Sequence, residues 1–193
     1  MSIQETQATI ADNLKYIPIG HGVGTTEKMC SIAHINYALS GRVADAPIPC
    51  VSAAIRRWVI TIQDKMPVET LNGPEWKSLV PLIAGTGQKY EQERANIILN
   101  WLWDVVLLQI QPIADKYGFG GEWQLMLTER TEDAASEVAW AAALAVDVKR
   151  AEDAARAAVV VARAVAFAAD FNATDFWQAV DPARLLKRLI EVE

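Results

Sequence analysis

Cysteine, histidine and clustered positive charge are all scarce in this chain, and each scarcity removes a class of function. Its only cysteines, Cys30 and Cys50, are too few for the disulfide framework of a small secreted fold. The 18 Lys and Arg residues face 24 Asp and Glu, for a net charge of −6. By position the balance is −2 over residues 1–127 and −4 over 128–193. Nucleic-acid binding depends on cations that neutralise phosphates, so direct contact with DNA or RNA is not expected. Long apolar runs are missing too. The longest nearly uncharged stretch, 157–169, contains Arg163 and is shorter than the roughly 20 residues of a membrane span. The opening "MSIQETQATIADN" has neither the basic start nor the apolar core of an export signal. A soluble, cytoplasmic protein without a membrane partner is the expectation.

What the chain does have is apolar residues at helical spacing, with 52% hydrophobic content over 193 residues. That suffices for one sizeable core. The punctuation predicts helices almost throughout. One runs over about 4–15 and ends near Pro18. A second is capped by Thr25 or Thr26, with Glu27 at its positive start, and Gly41 closes it. A third covers about 51–65, after the extended "ADAPIPC". Pro74 suits the first turn of a fourth, which Pro81 ends or kinks. A strongly apolar helix over about 90–111 is kinked or ended by Pro112, and a short one covers 123–127. "DPARLLKRLI" predicts a final helix capped by Asp181, with a docking stripe of Leu185, Leu186, Leu189 and Ile190.

Between 131 and 170 there is neither proline nor glycine, and alanine fills about four positions in ten. Alanine favours the helix above all other residues, so one long helix of about 60 Å is expected, bent near 146–149 where the charged face changes sides. The fold class is therefore all-α, a multi-helix bundle with this long alanine-rich helix. One helical domain spans 1–193, and any sub-boundary falls near 118–130, where a tryptophan-rich part gives way to an alanine-rich one.

The segment "GHGVGTTEKMCSIAHIN" holds the candidate chemistry. Gly20, Gly22 and Gly24 match neither the dinucleotide fingerprint nor the phosphate loop. The free N–H groups of a helix start could still take a small anion at Gly22, Gly24, Thr25 and Thr26. Cys30 and His34 lie four apart on one helix face, as a nucleophile and its base would. The competing reading makes Cys30 a small core residue and His34 an interior histidine. Cys30, His34, His21 and Cys50 would make a zinc site only by converging, at a spacing unlike standard ones, so no metal and no cofactor is expected. Seven tryptophans, at 58, 76, 101, 103, 123, 140 and 177, fill a core or anchor an interface. Trp140, set among alanines, is the exposed candidate, and with Arg156 and Arg163 it marks an interaction surface.

"CSIAHIN", "PIPCVSAAI", "DKMP", "EWKSLVPLIAGTG", the alanine-rich tract and "DPARLLKRLI" together resemble a group of bacterial and phage open reading frames with no established activity. The resemblance covers about two thirds of the chain and is most specific from Cys30 to Gly87. It implies a prokaryotic or viral cytoplasmic setting and transfers no catalytic residue. The function expected is that of a non-enzymatic helical interaction protein, an accessory or counter-defence factor that binds a host protein or itself. The alternative is a small-molecule or nucleotide binder, or a Cys–His enzyme, centred on Gly20–His34.

Overall fold

The computed structural model describes residues 2–116, 118–130 and 173–192. Over these the chain is mostly helical, with a single two-stranded hairpin. Helix α1 (Ile3–Tyr16) begins at a capping box: the Ser2 hydroxyl accepts the Glu5 N–H at 3.2 Å and the Glu5 carboxylate accepts the Ser2 N–H at 2.6 Å. Its buried residues Thr6, Ile10 and Leu14 recur every fourth position, one stripe on one face. The chain leaves α1 before Pro18 and makes strands β1 (Gly24–Thr25) and β2 (Lys28–Met29), paired antiparallel. Helix α2 (Ser31–Ser40) follows, ended by Gly41 at φ +71°.

Two sequence expectations are corrected here. Thr25 and Thr26 cap no helix, because that stretch forms the hairpin and its turn. Cys30 is not inside the helix but is its N-cap, with its sulfur accepting the Ala33 N–H at 3.2 Å. The reason is local: the glycines supply the positive φ angles that a reversal needs, at Gly22 (+63°) and Gly24 (+85°), so the hairpin outcompetes an earlier helix start.

Helix α3 (Ala53–Gln63) is capped by Ser52, whose hydroxyl accepts the Ile55 N–H. A single turn, α4 (Val68–Leu71), leads to α5 (Pro74–Ile83), which has Pro74 in its first turn and stops two residues after Pro81. Helix α6 (Glu91–Trp101) passes into a π-helical turn (Leu102–Val106), a 3-10 turn (Leu107–Ile110) and α7 (Gln111–Lys116). Proline at 112 has no N–H for the Leu108 carbonyl, so the Gln111 N–H serves that carbonyl instead, three residues ahead, and the helical pitch changes around it. The kink expected at Pro112 is present as this change of pitch, whereas the helix expected over 90–111 is interrupted earlier than expected, from Leu102. Helices α8 (Gly120–Glu129), α9 (Ala173–Val180) and α10 (Pro182–Ile190) complete the described residues. Among these residues no helix is long and apolar enough to cross a membrane. The expected long helix at 131–170, its bend, and Trp140, Arg156 and Arg163 lie outside them.

The chain divides into two compact units, one of residues 1–99 with 181–193 and one of 100–180. In the first, α5 packs against α1, α2 and α10, and α2 also packs on α1 and α3. Ile10, Ile32, Ile35, Ile55, Val59, Trp76, Val80, Leu185, Leu186 and Leu189 are buried there. Within the second, α8 packs on α7, and the Trp123 indole donates to the Leu107 carbonyl at 3.1 Å. The Trp101 indole donates to the Val180 carbonyl at 2.8 Å, in the same unit.

Candidate functional site

Residues 18–34 are held by bonds to Asp64, Met66 and Asn72, which lie between α3 and α5. Asn72 clamps Ile19 from both sides, accepting its N–H at 3.0 Å and donating to its carbonyl at 2.9 Å. Gly20 N–H reaches the Met29 carbonyl at 3.0 Å, and Met29 N–H the Pro18 carbonyl at 3.3 Å. Gly22 N–H donates to the Asp64 carboxylate at 2.8 Å, and the His21 ring meets the Met66 carbonyl through Nε2 at 2.8 Å, so that nitrogen is the protonated donor. Thr25 turns inward on its own loop, where its hydroxyl accepts the Glu27 N–H at 3.2 Å. An added Cβ at Gly24 would fall on the Lys28 carbonyl, which is why glycine stands there.

This geometry shapes the anion reading. Among the four candidate residues, the Gly22 N–H already faces a carboxylate, and the side chain of Asp64 would repel a phosphate at that point. Thr25 and Thr26 stay exposed at the hairpin tip. The second glycine loop, Ala84–Gly87, is spent in the same way: Gly85 and Gly87 N–H both donate to the Cys50 carbonyl, at 2.9 and 3.1 Å, and the Thr86 hydroxyl accepts the Ser52 N–H at 3.0 Å.

Cys30 and His34 are both buried in the first unit. Burial pushes the Cys30 thiol up, against the weaker pull of the Ala33 N–H and the Gln63 side chain. Around it lies a buried polar chain that the sequence reading did not identify: Ser31 N–H donates to Gln63 Oε1 at 3.1 Å, and the Trp76 indole donates to the Ser31 hydroxyl at 3.1 Å. Burial, with help from Lys77, lowers the His34 imidazole to about 4, so it is neutral at pH 7. The Pro18 carbonyl beside the ring pulls the other way, favouring the charged form, and is outweighed by burial. Among the described residues, no three of His, Cys, Asp and Glu gather to hold a metal ion.

The other site that sequence reasoning missed is Arg94, 1% exposed. Its Nε donates to the Leu189 carbonyl at 3.0 Å, Nη1 to Gly87 at 3.0 Å and Nη2 to Thr86 at 2.9 Å. Glu91 Oε1 stands 3.6 Å from Nη1, and its other oxygen accepts the Ala54 N–H at 2.7 Å at the start of α3. The available signal was the Glu91/Arg94 spacing on one helix face, but it looks like any solvated ion pair. In the second unit, the exposed Arg130 pairs with Asp104 and lies 5.8 Å from the Trp103 ring. Compared with family models, curated proteins and solved structures, the chain matches none.

Proposed function

We propose that this chain is a non-enzymatic interaction protein of bacterial or phage origin, an accessory or counter-defence factor that works in the cytoplasm by binding a host protein or a second copy of itself. The observation that carries this reading is in the second unit. Leu108 and Leu125 are 50% and 49% exposed there, on the 3-10 turn and on α8, two stretches brought together by the Trp123 indole and the Leu107 carbonyl. Apolar side chains left in water on packed neighbouring elements suit a protein contact.

The double variant L108D/L125D tests the idea. Light scattering and capture from host lysate should show a defined oligomer or one reproducible partner for the parent chain. The variant should keep its helical circular dichroism and lose that association by tenfold or more. A parent that stays monomeric and captures nothing would refute the proposal.

A further inference from the structure

Helix α10 belongs to the first unit, yet the chain enters it from the second, through the single residue Asp181 between α9 and α10. On the near side Val180 ends α9, with its carbonyl held by the Trp101 indole. On the far side Pro182 starts α10, whose Leu185, Leu186 and Leu189 are buried and whose Leu189 carbonyl is held by Arg94. Asp181 itself stands at φ +42° and ψ +69°. A left-handed backbone costs any residue that carries a Cβ, and the residue before a proline favours the extended region instead. Asp181 does cap α10, its carboxylate accepting the Arg184 N–H at 3.0 Å. That duty does not require the strain: Ser2, Cys30 and Ser52 cap their helices by side chain at φ −71°, −69° and −55°, with ψ of 166°, 162° and 132°. The conformation at Asp181 is therefore set by the reversal that returns α10 to its own chain, not by the helix it begins.

We propose that this chain forms a reciprocal dimer with a second copy of itself by exchanging α10. Asp181 relaxes to the extended conformation of the other caps and keeps its bond to the Arg184 N–H, and each α10 docks in the first unit of the other copy. The burial of the three leucines and the bond from Arg94 to the Leu189 carbonyl are then remade between copies, while two left-handed residues per dimer are relieved. Released alone, α10 would hold its leucines in water, so a vacated first unit takes back a helix of this sequence from either source. Exchange needs that release first. It is therefore slow in the cold, unlike association through Leu108 and Leu125, on which it does not rest.

In the test the full chain and its L108D/L125D variant are concentrated, warmed to just below the melting midpoint, cooled and measured by light scattering. Both should yield a dimer that fresh L108D/L125D lacks. A synthetic peptide of residues 181–193, in excess during the warming, should block it, and the same peptide with Leu186→Asp should not. The hinge is tested by Asp181→Gly and Asp181→Val, which both remove the capping carboxylate but differ in the cost of a positive φ, lowest for glycine and highest for a β-branched residue. With two hinges per dimer, the dissociation constant of D181V should lie at least about 30-fold below that of D181G. Should L108D/L125D or D181V fail to fold, the two peptides acting on the parent chain decide the matter. No dimer after warming, a dimer lost in folded L108D/L125D, a dimer indifferent to the peptide, or equal constants for the two hinge variants overturns the exchange.

Discussion

At the scale of single residues, the informative positions are those where a polar group is buried and either satisfied or not. Arg94 is satisfied by three backbone carbonyls from two distant stretches, Thr86 and Gly87 on one side and Leu189 on the other. Replacing it with methionine should cost about 3–5 kcal/mol, the range for removing one member of a buried charged network. Lysine should recover little of that, because one ammonium cannot present three donors in the planar fork that the carbonyls require. Urea unfolding checks both, and R94K within about 1 kcal/mol of the parent would contradict this account. Cys30 makes the opposite prediction at neutral pH. Its thiol is buried and its pKa raised, so with Cys50→Ser in place an aromatic disulfide reagent at pH 8 should modify it at the rate of opening, at least a hundredfold slower than in denaturant. Rapid labelling of the folded chain would restore the nucleophile reading. That Cys30 and His34 lie within reach of one core was legible from their spacing. That Arg94 does was not, because nothing in "YEQERANII" separates it from a surface charge.

At the scale of elements, caps and stripes were the readable features and backbone reversals were not. The stripe at 185, 186 and 189, the Asp181 cap and Gly41 at the end of α2 all occur as the residue types dictate. The hairpin was missed because its strands are two residues long, too short for alternation to show, and threonine before glutamate looks like a helix start. Pro112 disturbs the helix before it as its residue type dictates, through the Leu108 carbonyl it fails to serve, but the π-helical turn at Leu102–Val106 lies further upstream and was not expected. The hairpin gives the sharper prediction. Gly24→Ala places a methyl group on the Lys28 carbonyl at a φ of +85°, and should destabilise the protein by about 1–3 kcal/mol. Gly22→Ala meets open space at +63° and should cost only about 1 kcal/mol. Thermal melts of the two variants distinguish them, and equal midpoints would mean that backbone strain, not the close approach, governs the turn.

At the scale of the whole molecule, the helical class was legible from composition and period, whereas the closing of one unit by both ends of the chain was not. The bond from Arg94 to Leu189 spans 95 positions, and no local pattern reports a contact of that separation. Its consequence is that residues 181–193 belong energetically with residues 1–99. Leu185, Leu186 and Leu189 are all buried there, and each contributes about 1.5–3 kcal/mol by leaving water. Their sum approaches the total stability of a typical domain, about 5–15 kcal/mol. A chain ending at Val180 would also leave Arg94 with one of its carbonyl partners gone and its guanidinium open to water. Such a chain should therefore lose the cooperative melt of the first unit, and a synthetic peptide of residues 181–193 should restore it in a saturable manner, because the leucine stripe and the arginine clamp are recreated together. Substituting Leu186→Asp in that peptide should abolish the rescue. An unchanged melt for the shortened chain would show that α10 is an ornament on a core already complete without it.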